Sequence, residues 1–327
     1  MNSLRVAIAA EFDLCEKMIE FLQQSELEIT QLIAVEISPF AEEQSLRFNQ
    51  KFVEQCKVDE VEWSEWDYLL VSTDNQQQDV LLQIANAGCR VLDLNGVCAD
   101  SAPIVLPSVN GEVANYLYDS NIICLPNPQV SQIALTLSDI LAEHQIAKLT
   151  ISSLLPASYQ GEKNVKELAG QTARLLNGLP LDEGKTRLAF DVFPVADDTL
   201  LQQLSRIFPT LADSEMQIHS IQVPVFYGLA QQVSLFAQQQ DIDSTILSEQ
   251  WTQRAWLSVD ENVTTPVSNG EQENGEDNVQ LHISEIKPIY DLDGNTGVSF
   301  WTVADEQRFS LAFLGVQLLN TLYALGF

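Results

Sequence analysis

The sequence is short of positive charge. Its 327 residues hold 16 Lys and Arg against 46 Asp and Glu, a formal charge of −30. No basic block overrules that deficit, so phosphate backbones and anionic lipid surfaces are repelled, which argues against nucleic-acid and membrane-surface partners. No apolar run reaches the length of a membrane span, and the run at 6–10 (VAIAA) is too short for the core of a signal peptide. The five cysteines, Cys15, Cys56, Cys89, Cys98 and Cys124, all lie in the first half and contain no C-x-x-C pair. Disulfide frameworks and zinc sites need paired spacing, so these read as buried free thiols of a cytoplasmic protein that holds no metal. His144, His219 and His282 are the only histidines; they are far apart, carry no motif, and read as surface or sheet residues. G-x-S-x-G, Walker A, H-E-x-x-H and kinase signatures are all missing.

What remains is a globular composition, 46% hydrophobic and 19% charged, on a chain long enough for two domains. Apolar runs at 6–10, 29–37, 67–73, 90–94 and 121–125 predict strands. They alternate with helical patterns carrying Leu14, Met18, Ile19 and Leu22, and again over 80–87. That alternation predicts a parallel, doubly wound sheet. Asn127-Pro128 then predicts a helix start, with Asn at the N-cap and Pro in the first turn. Beyond it, strands at 148–155, 187–193, 217–225, 232–236 and 298–303 predict a larger, mainly antiparallel sheet. Helices are expected at 165–176, 200–207 and 309–325, and a polar surface loop at 264–278.

A strand turning into a helix at the start of a parallel sheet is where a dinucleotide pyrophosphate would sit, provided glycines let the backbone approach it. Here the turn contains Ala10, Glu11, Phe12, Asp13 and Cys15 and no glycine. Glu11 and Asp13 stand at the positive helix end, where each is worth about 0.3–1 kcal/mol to the helix and repels a phosphate. The reading is a nucleotide-type half whose anion hole is filled by its own side chains. Cys124 lies close to a helix start, where a thiol can be acidified, but it is flanked by Ile122, Ile123 and Leu125 and reads as a buried structural thiol.

Four segments carry a family resemblance: 151–161 (ISSLLPASYQG), 168–180 (LAGQTARLLNGLP), 223–228 (VPVFYG) and 300–305 (FWTVAD). With them the chain resembles the aspartate-semialdehyde dehydrogenases over nearly its whole length, and within that superfamily the Usg proteins. The resemblance implies an α/β fold: a Rossmann-like parallel-sheet domain at 1–125 plus 305–327, and an α/β dimerisation domain of the semialdehyde dehydrogenase type at 126–304. It also implies a homodimer, NADP as cofactor, and a cysteine nucleophile that forms a thioester.

The positions that would carry this chemistry are degenerate. Pro128 stands in the place of the cysteine, Leu155 in that of the substrate glutamine, Gln222 in that of the substrate-carboxylate arginine, and Leu229 in that of the histidine. Ala99 replaces the phosphate-contacting arginine, and no lysine lies at 197–203, where the substrate helix is expected. On the cofactor side the three loop glycines are missing. The segment 34–43 offers Glu36, Glu42 and Glu43 where a 2′-phosphate would need a base. Glu306 replaces a cofactor-contacting asparagine, and Ser310 a glycine.

Losing nucleophile, base, carboxylate clamp and phosphate loop together leaves no route to turnover. The expectation is a pseudoenzyme with no cofactor, whose apolar replacements turn the former site into packed core and which binds an unknown protein or small-molecule partner. The alternatives are an NADP-dependent oxidoreductase acting on a semialdehyde or acyl phosphate in amino-acid biosynthesis, one with altered chemistry at Cys124, and a regulatory subunit that pairs with a true dehydrogenase.

Overall fold

Short strands, the central ones aliphatic and buried on both faces, build the first sheet. The structure is a computed structural model, and it describes residues 3–37, 45–111, 120–238, 241–273, 279–292 and 294–327. The chain divides into two units, Met1–Ser131 with Ser310–Phe327, and Gln132–Phe309.

In the first unit the elements run β1 (Leu4–Ala9), α1 (Phe12–Gln24), β2 (Ile29–Glu36), β3 (Glu54–Lys57), β4 (Tyr68–Val71), α2 (Gln78–Asn86), β5 (Arg90–Asp93) and β6 (Ile122–Cys124). The six strands are all parallel in the order β3-β2-β1-β4-β5-β6, the doubly wound arrangement of dinucleotide folds. All of β4 is buried, as a central parallel strand requires. Helix α1 covers the sheet with Leu14, Cys15, Met18, Ile19, Phe21 and Leu22.

The chain returns to this unit in α8 (Leu314–Ala324), where Phe313 meets Phe21 edge to face at 5.5 Å. A Cβ on Gly315 would come within 2.9 Å of the Leu94 side chain, so this helix packs close because the residue is glycine. Buried Tyr68 donates its hydroxyl to the Phe327 carbonyl, and the Arg90 guanidinium lies over both rings. Tyr68→Phe should therefore cost about 1 kcal/mol in a denaturant melt, the net value of one such hydrogen bond.

The second unit holds most of α3 (Pro128–Glu143), then β7 (Ile146–Leu155), α4 (Glu162–Leu176), β8 (Phe193–Val195), α5 (Leu200–Ile207), β9 (Glu215–Gln222) and β10 (Leu229–Ala237). It continues with α6 (Ser244–Thr252), β11 (Leu257–Val259), α7 (Pro266–Glu273), β12 (Leu281–Tyr290) and β13 (Thr296–Ala304). Its seven strands follow the order β8-β9-β7-β10-β13-β12-β11; β7/β9 and β11/β12 pair parallel, the rest antiparallel.

One face of this sheet is covered by helices. Gln132 of α3 donates to Thr302 Oγ1 at 2.7 Å, and Trp251 of α6 packs edge-on to Phe300 while donating to the Thr136 carbonyl. The other face carries the row His219, Ser152, Gln232, Trp301 in mutual register, with His219 and Gln232 exposed.

Three expectations need correction. Residues 187–193 do not form a strand; only Phe193–Val195 pairs. Their apolar residues serve packing on α4 instead, where Leu188 and Ala189 join Ala157 and Leu168 and give their N–H groups to Gln171 Oε1 at 2.8 and 3.2 Å. The stretch 264–278 is not a loop throughout, because α7 starts at Pro266 and reciprocal bonds between Thr265 and Ser268 fix its first turn. Thr264 and Asn269 there are buried, while 274–278 lies outside the described residues. The final helix is not continuous from 309 to 325, since Glu306–Phe313 winds as a π-helix before α8 begins.

Candidate functional site

At the β1–α1 turn the geometry refines the expectation. Glu11 is the N-cap residue, yet its side chain makes no capping hydrogen bond and is exposed. Its backbone carbonyl takes the N–H groups of Leu14 and Cys15 at 3.1 and 3.0 Å. Asp13 sits half-buried in the first turn, as do Ala10 and Phe12 beside it. Glu11 thus acts on this helix end through its charge and not as a side-chain cap. Cys15 is fully buried, its thiol donates to the Ala10 carbonyl at 3.5 Å, and burial pushes it up to about 12. Glu36 ends β2, while Glu42 and Glu43 lie outside the described residues.

At the carboxyl end of β5, fully buried Asp93 gathers the turn that follows. It accepts from Cys98 N at 2.7 Å, Asn95 N at 3.2 Å and the Cys124 thiol at 3.4 Å. Burial raises its affinity for a proton, and the hydrogen bonds from Cys98 and Cys124 oppose that rise. Ala99 is buried in the same turn, its N–H on the Gly96 carbonyl. Burial, reinforced by the Asp93 charge, pushes the Cys124 thiol well above its ordinary value. Asn127 caps α3 as its sequence predicts, taking Gln129 N on its side chain at 2.9 Å, and Pro128 is buried in the first turn.

Thiol chemistry follows directly. Cys15, Cys89, Cys98 and Cys124 are buried and only Cys56 is partly accessible. A neutral thiol without solvent contact is a poor nucleophile. Native protein should react with iodoacetamide slowly and at Cys56 alone, and at all five positions in denaturant; mass spectrometry of the labelled peptides checks this. Fast native labelling of Cys124 would contradict it.

In the second unit, Leu155 and Gln222 face each other at the ends of β7 and β9. Leu155 is fully buried. Gln222, 2% exposed, donates to the Leu155 carbonyl at 2.9 Å while its Oε1 has no hydrogen-bond partner. Leu229, also fully buried, opens β10 opposite Ala304. After β7 the turn Ala157–Gln160 is held to the segment 223–228 by Ala157 N to the Val225 carbonyl, 2.8 Å, and Ser158 N to the Phe226 carbonyl, 3.0 Å.

These two segments converge on one carboxylate. Glu306 is 1% exposed; Ser158 Oγ donates to its Oε1, and Gly228 N donates to its Oε2 at 3.2 Å. Burial, then the neighbouring Asp305 charge, pushes Glu306 up to about 7, against the pull of Ser158 and Gly228. Asp305 in turn accepts from Gln307 N and Arg308 N, both at 2.9 Å, and so starts the π-helical turn. Nothing in the sequence marks this knot, because its members lie 148 and 78 residues apart. Among the described residues no group of three or more His, Cys, Asp or Glu side chains is placed to hold a metal ion.

No protein-family model matches the chain. A USG-1 protein homolog from Haemophilus influenzae is 49% identical to it over 327 residues, 99% of each chain. The chain belongs to the USG-1 protein homologs. A USG-1 homolog of Pseudomonas aeruginosa is 31% identical over 162 residues, 46% of this chain and 48% of that one. Aspartate-semialdehyde dehydrogenase 2 of Vibrio cholerae is 27% identical over 94% of each chain. The crystal structure of aspartate semialdehyde dehydrogenase II from that organism covers 99% of each chain with a TM-score of 0.88 at 26% identity.

A USG-1 chain thus has the mixed α/β fold of the aspartate-semialdehyde dehydrogenases. By the resemblance, Pro128, Leu155, Gln222, Leu229 and Ala99 stand where nucleophile, substrate and phosphate contacts are expected, and all five are buried. Among the described residues no helix is long and apolar enough to cross a membrane.

Proposed function

We propose that this USG-1 chain is a catalytically inactive, cytoplasmic, dehydrogenase-like homodimer that works by binding a protein or small-molecule partner and takes no NADP. The observation that carries the reading is the replacement at the nucleophile position. Pro128 has no atom that can attack an acyl carbon, and it is buried as the first residue of α3. Leu155 and Leu229 are fully buried, as apolar side chains in a packed interior are and as side chains in a wet catalytic cleft are not. The β1–α1 turn supports the loss of cofactor, since the carboxylates Glu11 and Asp13 stand where a pyrophosphate would need backbone donors and no like charge. The exposed side chains of His219 and Gln232 on the second sheet support a homodimer, because a sheet face that displays them can seat a second copy.

The decisive assay supplies aspartate semialdehyde, phosphate and NADP to purified protein and follows reduced cofactor by absorbance. No rate above background is expected. Millimolar NADP should leave the melting temperature unchanged, because a ligand that binds only the folded state must raise it. Light scattering should give twice 36.4 kDa. Turnover or a saturable NADP-dependent stabilisation would sink the reading in favour of an oxidoreductase acting on an aldehyde. The sequence likeness to the aspartate-semialdehyde dehydrogenases favours that second reading. The burial of Cys124 weighs against a thiol-based version of it.

A further inference from the structure

Glu306 is nine-tenths and more buried, and so is Ser158, which gives it a hydrogen bond. A carboxylate in such a place costs several kcal/mol of lost hydration unless donors surround it. Besides the backbone N–H of Glu306 itself, the donors come from two separate segments, the Ser158 hydroxyl after β7 and the Gly228 N–H before β10. Both segments are fixed independently of Glu306, by Ala157 N and Ser158 N on the Val225 and Phe226 carbonyls. Gly228 adds a positive φ of 93° and a Cβ position 2.8 Å from Pro266 Cβ, so its N–H is set by a tightly constrained backbone. Two donors held in place by other contacts can give a carboxylate charge-assisted hydrogen bonds without being reorganised.

We propose that Ser158 Oγ and Gly228 N form a carboxylate-binding site that the chain occupies with its own Glu306, which excludes any outside anion from it. Glu306 is here an intramolecular ligand. The preformed donors, not the glutamate, define the site, and its ligand class is a small monocarboxylate. The inference goes beyond the loss of catalysis and stands on the partners of Glu306 alone, whether or not the protein turns over a substrate.

The test is to vacate the site and offer a replacement. Glu306→Ala leaves two buried donors without an acceptor next to a cavity of carboxylate size. Formate should enter it and raise the melting temperature of E306A by several degrees in a saturable way, while chloride at equal ionic strength should not. Wild-type protein and Glu306→Gln, whose sites stay filled, should show no formate-specific rise. The double variant E306A/S158A should lose most of the effect.

A folded E306A that responds to formate and chloride alike would overturn the proposal. So would a failure of both E306A and Glu306→Gly to refold even in high formate, since ready-made donors would then have accepted the free anion. NADP melts on the wild type and formate melts on E306A use different ligands on different proteins, so one idea can fail without the other.

Discussion

Wild-type protein should lose stability, relative to Glu306→Gln, as the pH rises from about 4.5 to about 7. An ordinary glutamate carboxyl, as in the unfolded chain, titrates at 4.5, and the folded site pushes Glu306 up to about 7. Between those values the folded state holds a proton that the unfolded state has released, so stability falls with rising pH. The contribution is fully present below 4.5 and is lost as the pH passes 7. Each tenfold difference in proton affinity between the two states corresponds to about 1.4 kcal/mol, so the wild type should drop by roughly 1–3 kcal/mol across this window relative to the variant.

The charged neighbour that reinforces burial here is Asp305, on the same segment. The turn Ala157–Gln160 brings the Ser158 hydroxyl against the carboxylate, and the segment 223–228 brings the Gly228 N–H. Glu306→Gln keeps an oxygen for Ser158 or Gly228 and cannot titrate, so the difference between the two denaturation profiles removes the other 45 acidic side chains of the 46. Parallel profiles from pH 4 to 8 would show that Glu306 keeps its ordinary proton affinity in the folded protein and would overturn this prediction.

The elements most legible in the sequence are those whose signal is local. Asn127 caps α3 and Pro128 starts it because both preferences act within one turn. The parallel strands are legible because strands buried on both faces read as continuous apolar runs, as in Tyr68–Val71. Sequence misleads where a distant partner sets the pattern. Residues 187–193 are rich in apolar side chains like a strand, but Leu188 and Ala189 are buried side by side against α4. Thr265-Pro266 is a helix-start signal, but the polar residues that follow it in α7 mask the helix behind the look of a loop.

His282 shows the same limit at the level of chemistry. Its Nδ1 lies 2.8 Å from Asp260 Oδ2, an arrangement across 22 residues that parallel pairing of β11 with β12 creates and no motif announces. The degenerate positions can be read one by one from the resemblance. Sequence does not reveal that Gln222 turns its amide nitrogen to the Leu155 backbone, or that Glu306 gains donors from Ser158 and Gly228.

Gly228→Ala should be the most damaging single methyl group at this site. The residue has φ +93°, where a Cβ is strained by about 1–2 kcal/mol. The added atom would also lie 2.8 Å from Pro266 Cβ and 3.0 Å from Pro266 Cα, at the rigid first residue of α7. Overpacking of that kind costs about 1–3 kcal/mol. Alanine recovers only about 0.4–1 kcal/mol by restricting the unfolded chain. The net loss should be about 2–4 kcal/mol, or roughly 3–6 °C in melting temperature for a chain of this length. Relief of the strain must move the Gly228 N–H, and with it one of the two donors to Glu306. The loss should therefore shrink in a Glu306→Gln background, where the displaced donor no longer serves a charge, leaving a coupling of about 1 kcal/mol in a double-mutant cycle. Strict additivity would mean that the turn at Gly228 and the buried carboxylate are independent, and that the donors are held less firmly than their geometry implies.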